Sequence, residues 1–198
     1  MQMGGWNMSL VNSFRPRILV FAGPNGSGKS TITKKIPICG IYVNADEIKR
    51  ISNCTDLEAA QEAELIRKTL LNAHKDFTFE TVLSTDRNLE LLRQAKEQGY
   101  EIHAVFVLTN NPCINVERVK SRVKAGGHDV PGEKIINRYE KSLHNLAQLV
   151  RIADHTRVID NSNDKPHLIC EVLNQHVTIW ESPEWSKEAI LRLLAGKA

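Results

Sequence analysis

Short, continuous apolar runs alternate along this chain with longer stretches whose apolar positions recur every three or four residues. Arg17-Ile-Leu-Val-Phe-Ala22 is one such run, stopped by Gly23, the pattern of a strand buried on both faces. Ile41–Val43, Phe77–Leu83, Tyr100–Leu108 and Arg157–Ile159 repeat it. Helices are predicted between them. The first runs from Lys29 to Ile36, ahead of Pro37. The second runs from the capping box Thr55-Asp-Leu-Glu58 to about His74, with Leu57, Ala60, Leu65 and Leu71 as its apolar positions. Further helices run from Leu89 to Gln98 before Gly99, from Pro112 to Ala125 before Gly126-Gly127, and from Pro131 through Ile135, Tyr139, Leu143 and Val150. His167–Leu173 and Val177–Trp180 read as a small hairpin around Asn174-Gln175, and Ser182-Pro183 as the cap of a terminal helix ending near Gly196. Residues 1–14 read as a loose leader ahead of a single domain over 15–198.

Strands alternating with helices predict an α/β protein: a mostly parallel sheet with helices on both faces. Ligands in such sheets bind beyond the carboxyl ends of the strands. The polar residues expected there are Gly23–Ser30, Asn44–Glu47, Glu80–Asp86, Thr109–Asn111 and Asp160–Ser162.

Composition narrows the function. The 198 residues carry 26 Lys+Arg against 23 Asp+Glu, a formal charge of +3, too balanced to suggest a nucleic-acid partner. The four cysteines, Cys39, Cys54, Cys113 and Cys170, form no C-x-x-C pair and read as free thiols of a reducing compartment. The first residues lack the pattern of a secretory signal, and no stretch is apolar enough for a membrane span. The expected location is the cytoplasm, with no membrane partner.

Gly23-Pro24-Asn25-Gly26-Ser27-Gly28-Lys29-Ser30, followed by Thr31, matches G-x-x-x-x-G-K-[ST], the Walker A phosphate loop, between a predicted strand and helix. The glycines let successive amides face phosphate oxygens, and the helix start adds positive dipole character. Lys29 is expected on the β- and γ-phosphates of ATP and the Ser30 hydroxyl on Mg²⁺. The predicted fold is therefore the P-loop NTPase fold.

The other residues separate motors and switches from kinases. The long strand ends in Thr109 rather than an acid, and no Asn-Lys-x-Asp element reads guanine. Asp46 follows the second strand, where a carboxylate can take the proton of an acceptor hydroxyl or bind the substrate; it can also cap the following helix. Glu80 lies among strand formers, so it either faces water on an edge strand or touches the acceptor or the Mg²⁺ shell; Thr81 follows it. Arg118 and Arg122, with Arg138 on the next helix, flank Gly126-Gly-His-Asp-Val-Pro131. They suggest a helical lid whose arginines neutralise the transferring phosphoryl group, although each also fits a solvated helix face. His128 in the bend is a candidate substrate contact or an exposed loop histidine.

Together, Ala22–Thr31, Asn44-Ala-Asp-Glu-Ile48, Phe79-Glu-Thr81, Gly126–Pro131 and Arg138-Tyr139 resemble the zeta-toxin family of P-loop kinases, in particular its smaller chromosomal branch. The resemblance runs from about Arg17 to Ser162. It implies an ATP- and Mg²⁺-dependent kinase; the best-known members phosphorylate UDP-N-acetylglucosamine. Under it Asp46 matches the general base, Lys29 the phosphate-binding lysine, Glu80 a substrate-side acid, and Arg118 or Arg122 the first lid arginine. An antitoxin protein becomes a candidate partner. The chain departs from the family at His128-Asp-Val-Pro131, where a second arginine is expected, and after Glu80, where Thr81-Val-Leu-Ser84 lacks the glycine and arginine of UDP-sugar kinases. The expected acceptor is a small hydroxyl compound; the family suggests a UDP-sugar, and the departures point instead to another nucleotide-like molecule. The competing readings are a polynucleotide 5′-hydroxyl kinase and a nucleotide-binding regulatory ATPase.

Overall fold

The computed structural model describes residues 15–127 and 129–197. Seven strands form one sheet: β1 (Arg17–Ala22), β2 (Ile41–Val43), β3 (Phe77–Thr81), β4 (Glu101–Leu108), β5 (His155–Asp160), β6 (His167–Leu173) and β7 (His176–Ile179). The spatial order is β2-β3-β1-β4-β5-β6-β7. The pairs β2–β3, β3–β1, β1–β4 and β4–β5 are parallel. The expected hairpin is present and extends this sheet, because β6 pairs antiparallel with β5 and β7 with β6. Asn174 and Gln175 both take positive φ, 48° and 70°, the turn whose twist suits a two-residue hairpin.

Among the described residues seven helices accompany the strands: α1 (Lys29–Thr33), α2 (Ala45–Ser52), α3 (Asp56–Asn72), α4 (Arg87–Glu97), α5 (Pro112–Lys124), α6 (Gly132–Ile152) and α7 (Lys187–Leu194). They cover the two faces unequally. On one face Ile18, Val20, Phe77, Phe79, Phe106 and Val158 pack against Ala63 and Leu71 of α3, Leu89 and Leu92 of α4, Leu146 of α6 and Ile190 of α7. On the other, Leu19, Phe21, Val105 and Val107 meet Ile32 of α1, with Ile36 and Cys39 beyond it. No helix of the described residues is long and apolar enough to cross a membrane.

Four local expectations change. α1 ends at Thr33 because the amides of Lys35 and Ile36 bond back three residues, to Ile32 and Thr33, tightening the chain before Pro37. β3 stops at Thr81 because Leu83, fully packed, sits at φ 58°, a left-handed conformation no strand accommodates. On α3 the buried stripe is Ala59, Ala63, Arg67, Leu70 and Leu71. Leu57 and Leu65 are 68% and 65% exposed, so the small alanines rather than the leucines take the sheet side. α7 is capped by Ser186, whose hydroxyl accepts from the Ala189 amide, while Ser182 exchanges backbone hydrogen bonds with Trp185. The leader over residues 1–14 lies outside the described residues.

The Thr55–Glu58 capping box forms as expected. The other end of α3 is closed from the sheet: the buried Tyr100 hydroxyl lies 3.2 Å from the carbonyls of Leu70, Leu71 and Lys75 and shares its proton among them. Tyr100→Phe strips that donor from buried carbonyls and is expected to cost about 1–3 kcal/mol, read as a lower urea midpoint at unchanged slope. An unchanged midpoint contradicts this account.

Candidate active site

The carboxyl ends of β1 and β3 open into a cleft of about 450 Å³. Asn25, Gly26, Gly28, Lys29, Ser30 and Thr31 form its floor, and Asn44, Asp46, Glu80, Thr81, Arg118 and Arg122 its walls. Gly23, Pro24 and Ser27 complete the loop behind it. Three of the five stretches expected at the strand ends line the cleft, whereas Thr109–Asn111 and Asp160–Ser162 do not.

The loop's glycines are required by close approach as well as by conformation. Gly26 has φ 77°, and a Cβ there would fall 2.4 Å from the Asn115 carbonyl oxygen. Gly28 has φ 92°, and its Cβ would fall 2.3 Å from Asn161 Nδ2. Both neighbours hold the loop. Asn115 on α5, fully buried, donates from Nδ2 to the Asn25 carbonyl at 2.7 Å and accepts at Oδ1 from the Thr109 hydroxyl. Tyr139 of α6 donates to the Thr109 carbonyl, and burial pushes its hydroxyl up to about 12. Asn161 donates to the Ser27 carbonyl at 2.8 Å. Of this bracing set, only the chain stretches Thr109–Asn111 and Asp160–Ser162 were readable as site elements. Asn115 sits in a helix pattern that marks it as an ordinary polar position.

Lys29 Nζ donates to the carbonyls of Gly23 and Pro24 at 2.7 and 2.9 Å, so the ammonium lies across the loop. Its pKa falls from the usual lysine value to about 8. Burial is the main cause and outweighs the attraction of Glu80 and Asp46, while the charge of Arg122 pushes the same way.

Glu80 is on an interior strand, between β2 and β1, and not on an edge. Its Oε2 accepts from Ser30 Oγ at 3.0 Å, and its Oε1 from Thr33 Oγ1 at 2.9 Å and from the Tyr42 hydroxyl at 2.7 Å. Burial, then this hydrogen bond, raise the Tyr42 pKa well above the usual tyrosine value. Tyr42 accepts in turn from Asn44 Nδ2 at 2.9 Å. Tyr42 and Thr33 were not expected here; they read as strand and helix filler.

Asn44, not Asp46, caps α2: its Oδ1 accepts from the Asp46 amide at 2.9 Å. The Asp46 side chain is exposed in the cleft wall and accepts no hydrogen bond from the described residues. Thr81 Oγ1 accepts from the Leu83 amide at 3.0 Å and from Asn88 Nδ2 at 2.8 Å, leaving its proton to donate. Arg118 lines the cleft but donates to the carbonyls of Asn161 and Ser162 at 2.7 and 3.3 Å. Arg122 lines the same wall. Arg138, half-buried on α6 beside the core residues Ile135 and Tyr139, does not line the cleft, and His128 lies outside the described residues.

The parallel sheet with a phosphate loop after β1, and acids after β2 and within β3, defines a P-loop kinase fold. A zeta toxin family model matches residues 39–169, and the chain belongs to that family. The phosphate loop precedes the matched stretch, so loop and family match are separate observations. An uncharacterized protein of Haemophilus influenzae is 30% identical over 129 residues, which is 62% of this chain and 92% of the relative. Among solved structures, the AvrRxo1-ORF1:-ORF2 complex with ATP superposes with TM-score 0.70 at 15% identity, over 94% of this chain and 66% of that one. The PezAT chromosomal toxin–antitoxin system of Streptococcus pneumoniae gives TM-score 0.59 at 16% identity, over 93% of this chain and 85% of that one. At these identities the likeness is one of fold.

A triphosphate beside Lys29 restores the proton that burial disfavours. Nucleotide binding at pH 8 is therefore expected to take up about half a proton, seen as a binding enthalpy that varies with the buffer's ionisation enthalpy, and affinity should weaken as pH rises from about 7 to 9. Lys29→Met should abolish the uptake. Buffer-independent enthalpy at pH 8 in the unaltered protein contradicts the assignment.

Proposed function

We propose that this chain is an ATP- and Mg²⁺-dependent phosphotransferase that moves the γ-phosphate to a hydroxyl of a small molecule, a UDP-sugar or another nucleotide-like compound. The observation that carries the reading is the Asp46 carboxylate, uncommitted to its helix and facing the cleft that holds Lys29, Ser30 and Glu80. Motors and switches have no need of a free carboxylate there, whereas a kinase needs one near the acceptor hydroxyl.

In the step, the acceptor oxygen attacks the γ-phosphorus while the bond to the β–γ bridging oxygen breaks. The acceptor proton passes to an Asp46 oxygen, and ADP leaves. Lys29 draws charge from the β- and γ-phosphates. Arg118 and Arg122 line the same wall, and Arg122 is the nearer to Lys29 electrostatically. Thr81, able only to donate, suits an oxygen of the acceptor.

Ser30 Oγ and Glu80 Oε2, 3.0 Å apart, are hard oxygen donors of the kind Mg²⁺ selects. The described residues place no group of three or more His, Cys, Asp or Glu that could hold a metal. The donor set fits an ion that nucleotide phosphates would chiefly hold, with Ser30 and Glu80 as the residues that would help hold it. Bound there, it would neutralise phosphate charge. One structural neighbour is the AvrRxo1-ORF1:-ORF2 structure and another comes from the PezAT toxin–antitoxin system, and an antitoxin partner belongs to the same reading.

The test is label transfer from γ-labelled ATP with Mg²⁺ into UDP-sugars, nucleosides, other nucleotides and 5′-hydroxyl oligonucleotides. Label on one small molecule is expected, lost by at least about 10²-fold in Asp46→Asn at nearly unchanged ATP affinity. Label on the oligonucleotide alone identifies a polynucleotide kinase, and label only in free phosphate a regulatory ATPase. Full acceptor turnover by Asp46→Asn removes the base assignment.

A further inference from the structure

A second hollow lies between α3 and α4, outside the nucleotide cleft. It encloses about 160 Å³ and is walled by Glu64, Arg67 and Lys68 of α3 and by Arg87, Asn88 and Glu90 of α4, among others. Pockets for whole nucleotides or drug-sized ligands are several times larger, so this one suits a single small group.

Arg67 is the unusual residue. It occupies the buried stripe of α3 with only 7% of its surface exposed. Its guanidinium carbon sits 5.2 Å from the centre of the Phe79 ring, and its Nε is buried with no hydrogen-bond partner among the described residues. Buried ions are ordinarily paired, because desolvation is otherwise uncompensated. Glu64 attracts the Arg67 charge, but its oxygens are bound to other cations. Glu64 holds Lys68 at 2.8 Å with one oxygen and Arg87 at 3.1 Å with the other, and Glu90 holds Arg93 at 3.2 Å. Three cations and two carboxylates line the hollow, so the positive charge in surplus is that of the buried arginine.

The geometry points to an oxyanion site, in which Arg67 receives a phosphate or carboxylate group with Lys68 and Arg87 at its rim. The planar guanidinium matches two oxygens of such a group, and its contact with the Phe79 ring helps hold it in place. The site communicates with the cleft through one contact: Asn88, in its wall, donates to Thr81 Oγ1 at 2.8 Å, and Thr81 lines the cleft. The anion is therefore either a charged group carried by the cleft's acceptor or a free anion that acts on the cleft through Asn88. The binding site itself does not depend on the phosphotransferase reading.

The probe is inorganic phosphate, titrated calorimetrically and by thermal melting into protein saturated with a non-hydrolysable ATP analogue, so that Lys29 is already occupied. Saturable binding and a rise in melting temperature are expected. Arg67→Met should bind phosphate at least about tenfold more weakly. Without phosphate it should melt no lower than the unaltered protein, since an apolar chain replaces a buried charge whose Nε has no hydrogen-bond partner among the described residues. Lys68→Gln with Arg87→Gln alters exposed side chains only, keeps the fold, and should also weaken phosphate. A KM raised in Arg67→Met only for acceptors bearing phosphate or carboxylate assigns the group to the acceptor. Phosphate binding that shifts turnover of neutral acceptors assigns it to a free effector. Absence of saturable phosphate binding to the nucleotide-loaded protein, or binding unchanged in both variants, overturns the proposal.

Discussion

A carboxylate in the middle of a sheet organises this molecule's cleft. Glu80 stands opposite Phe21 in the β1–β3 register, where solvent cannot fully hydrate it, and three hydroxyls satisfy it instead: Ser30, Thr33 and Tyr42. Because all three donors are neutral, the negative charge is solvated without being cancelled. It supports the charged form of Lys29 against burial, and it fixes the Ser30 hydroxyl at the end of the phosphate loop. The same contacts fasten α1 to β3 and β3 to β2, so the geometry of the site follows from the strand register.

The phosphate loop is fixed from its other side by amides of two asparagines. Asn115 and Asn161 each donate to a loop carbonyl, at residues 25 and 27, and each presses against a glycine that has no room for a side chain. Asn115 belongs to α5, the helix that also carries Arg118 and Arg122, and Arg118 grips the backbone of Asn161 and Ser162. Helix α5 and the loop are therefore parts of one hydrogen-bonded unit, in which movement of α5 would be felt at the loop.

What could be read from the sequence was what local chemistry dictates. The phosphate loop is legible because its backbone needs glycine at fixed spacings, the strands because they are unbroken apolar runs, and the Thr55 box because its two residues satisfy each other. What could not be read depends on tertiary partners. Leu57 and Leu65 look like core residues until neighbouring α2 and β2 select the alanine face of α3. Arg67 looks like a solvated position for the same reason. Asp46 read equally well as a helix cap, and only the folded chain shows that Asn44 takes that place. Tyr42 and Asn115 carry no signal at all, since a hydrogen bond to an atom 38 or 90 residues away leaves no local pattern.

Under the proposed phosphotransfer, Glu80 would order the Mg²⁺ and nucleotide end of the cleft, and Glu80→Gln tests this with little change in shape. The measurement is nucleotide binding and turnover across a Mg²⁺ titration, alongside thermal melting. The account predicts an intact fold, a Mg²⁺ requirement raised by about 10–100-fold, and undiminished affinity for Mg²⁺-free nucleotide, since a negative charge has left the site. A variant with the unaltered protein's Mg²⁺ dependence and turnover would contradict it.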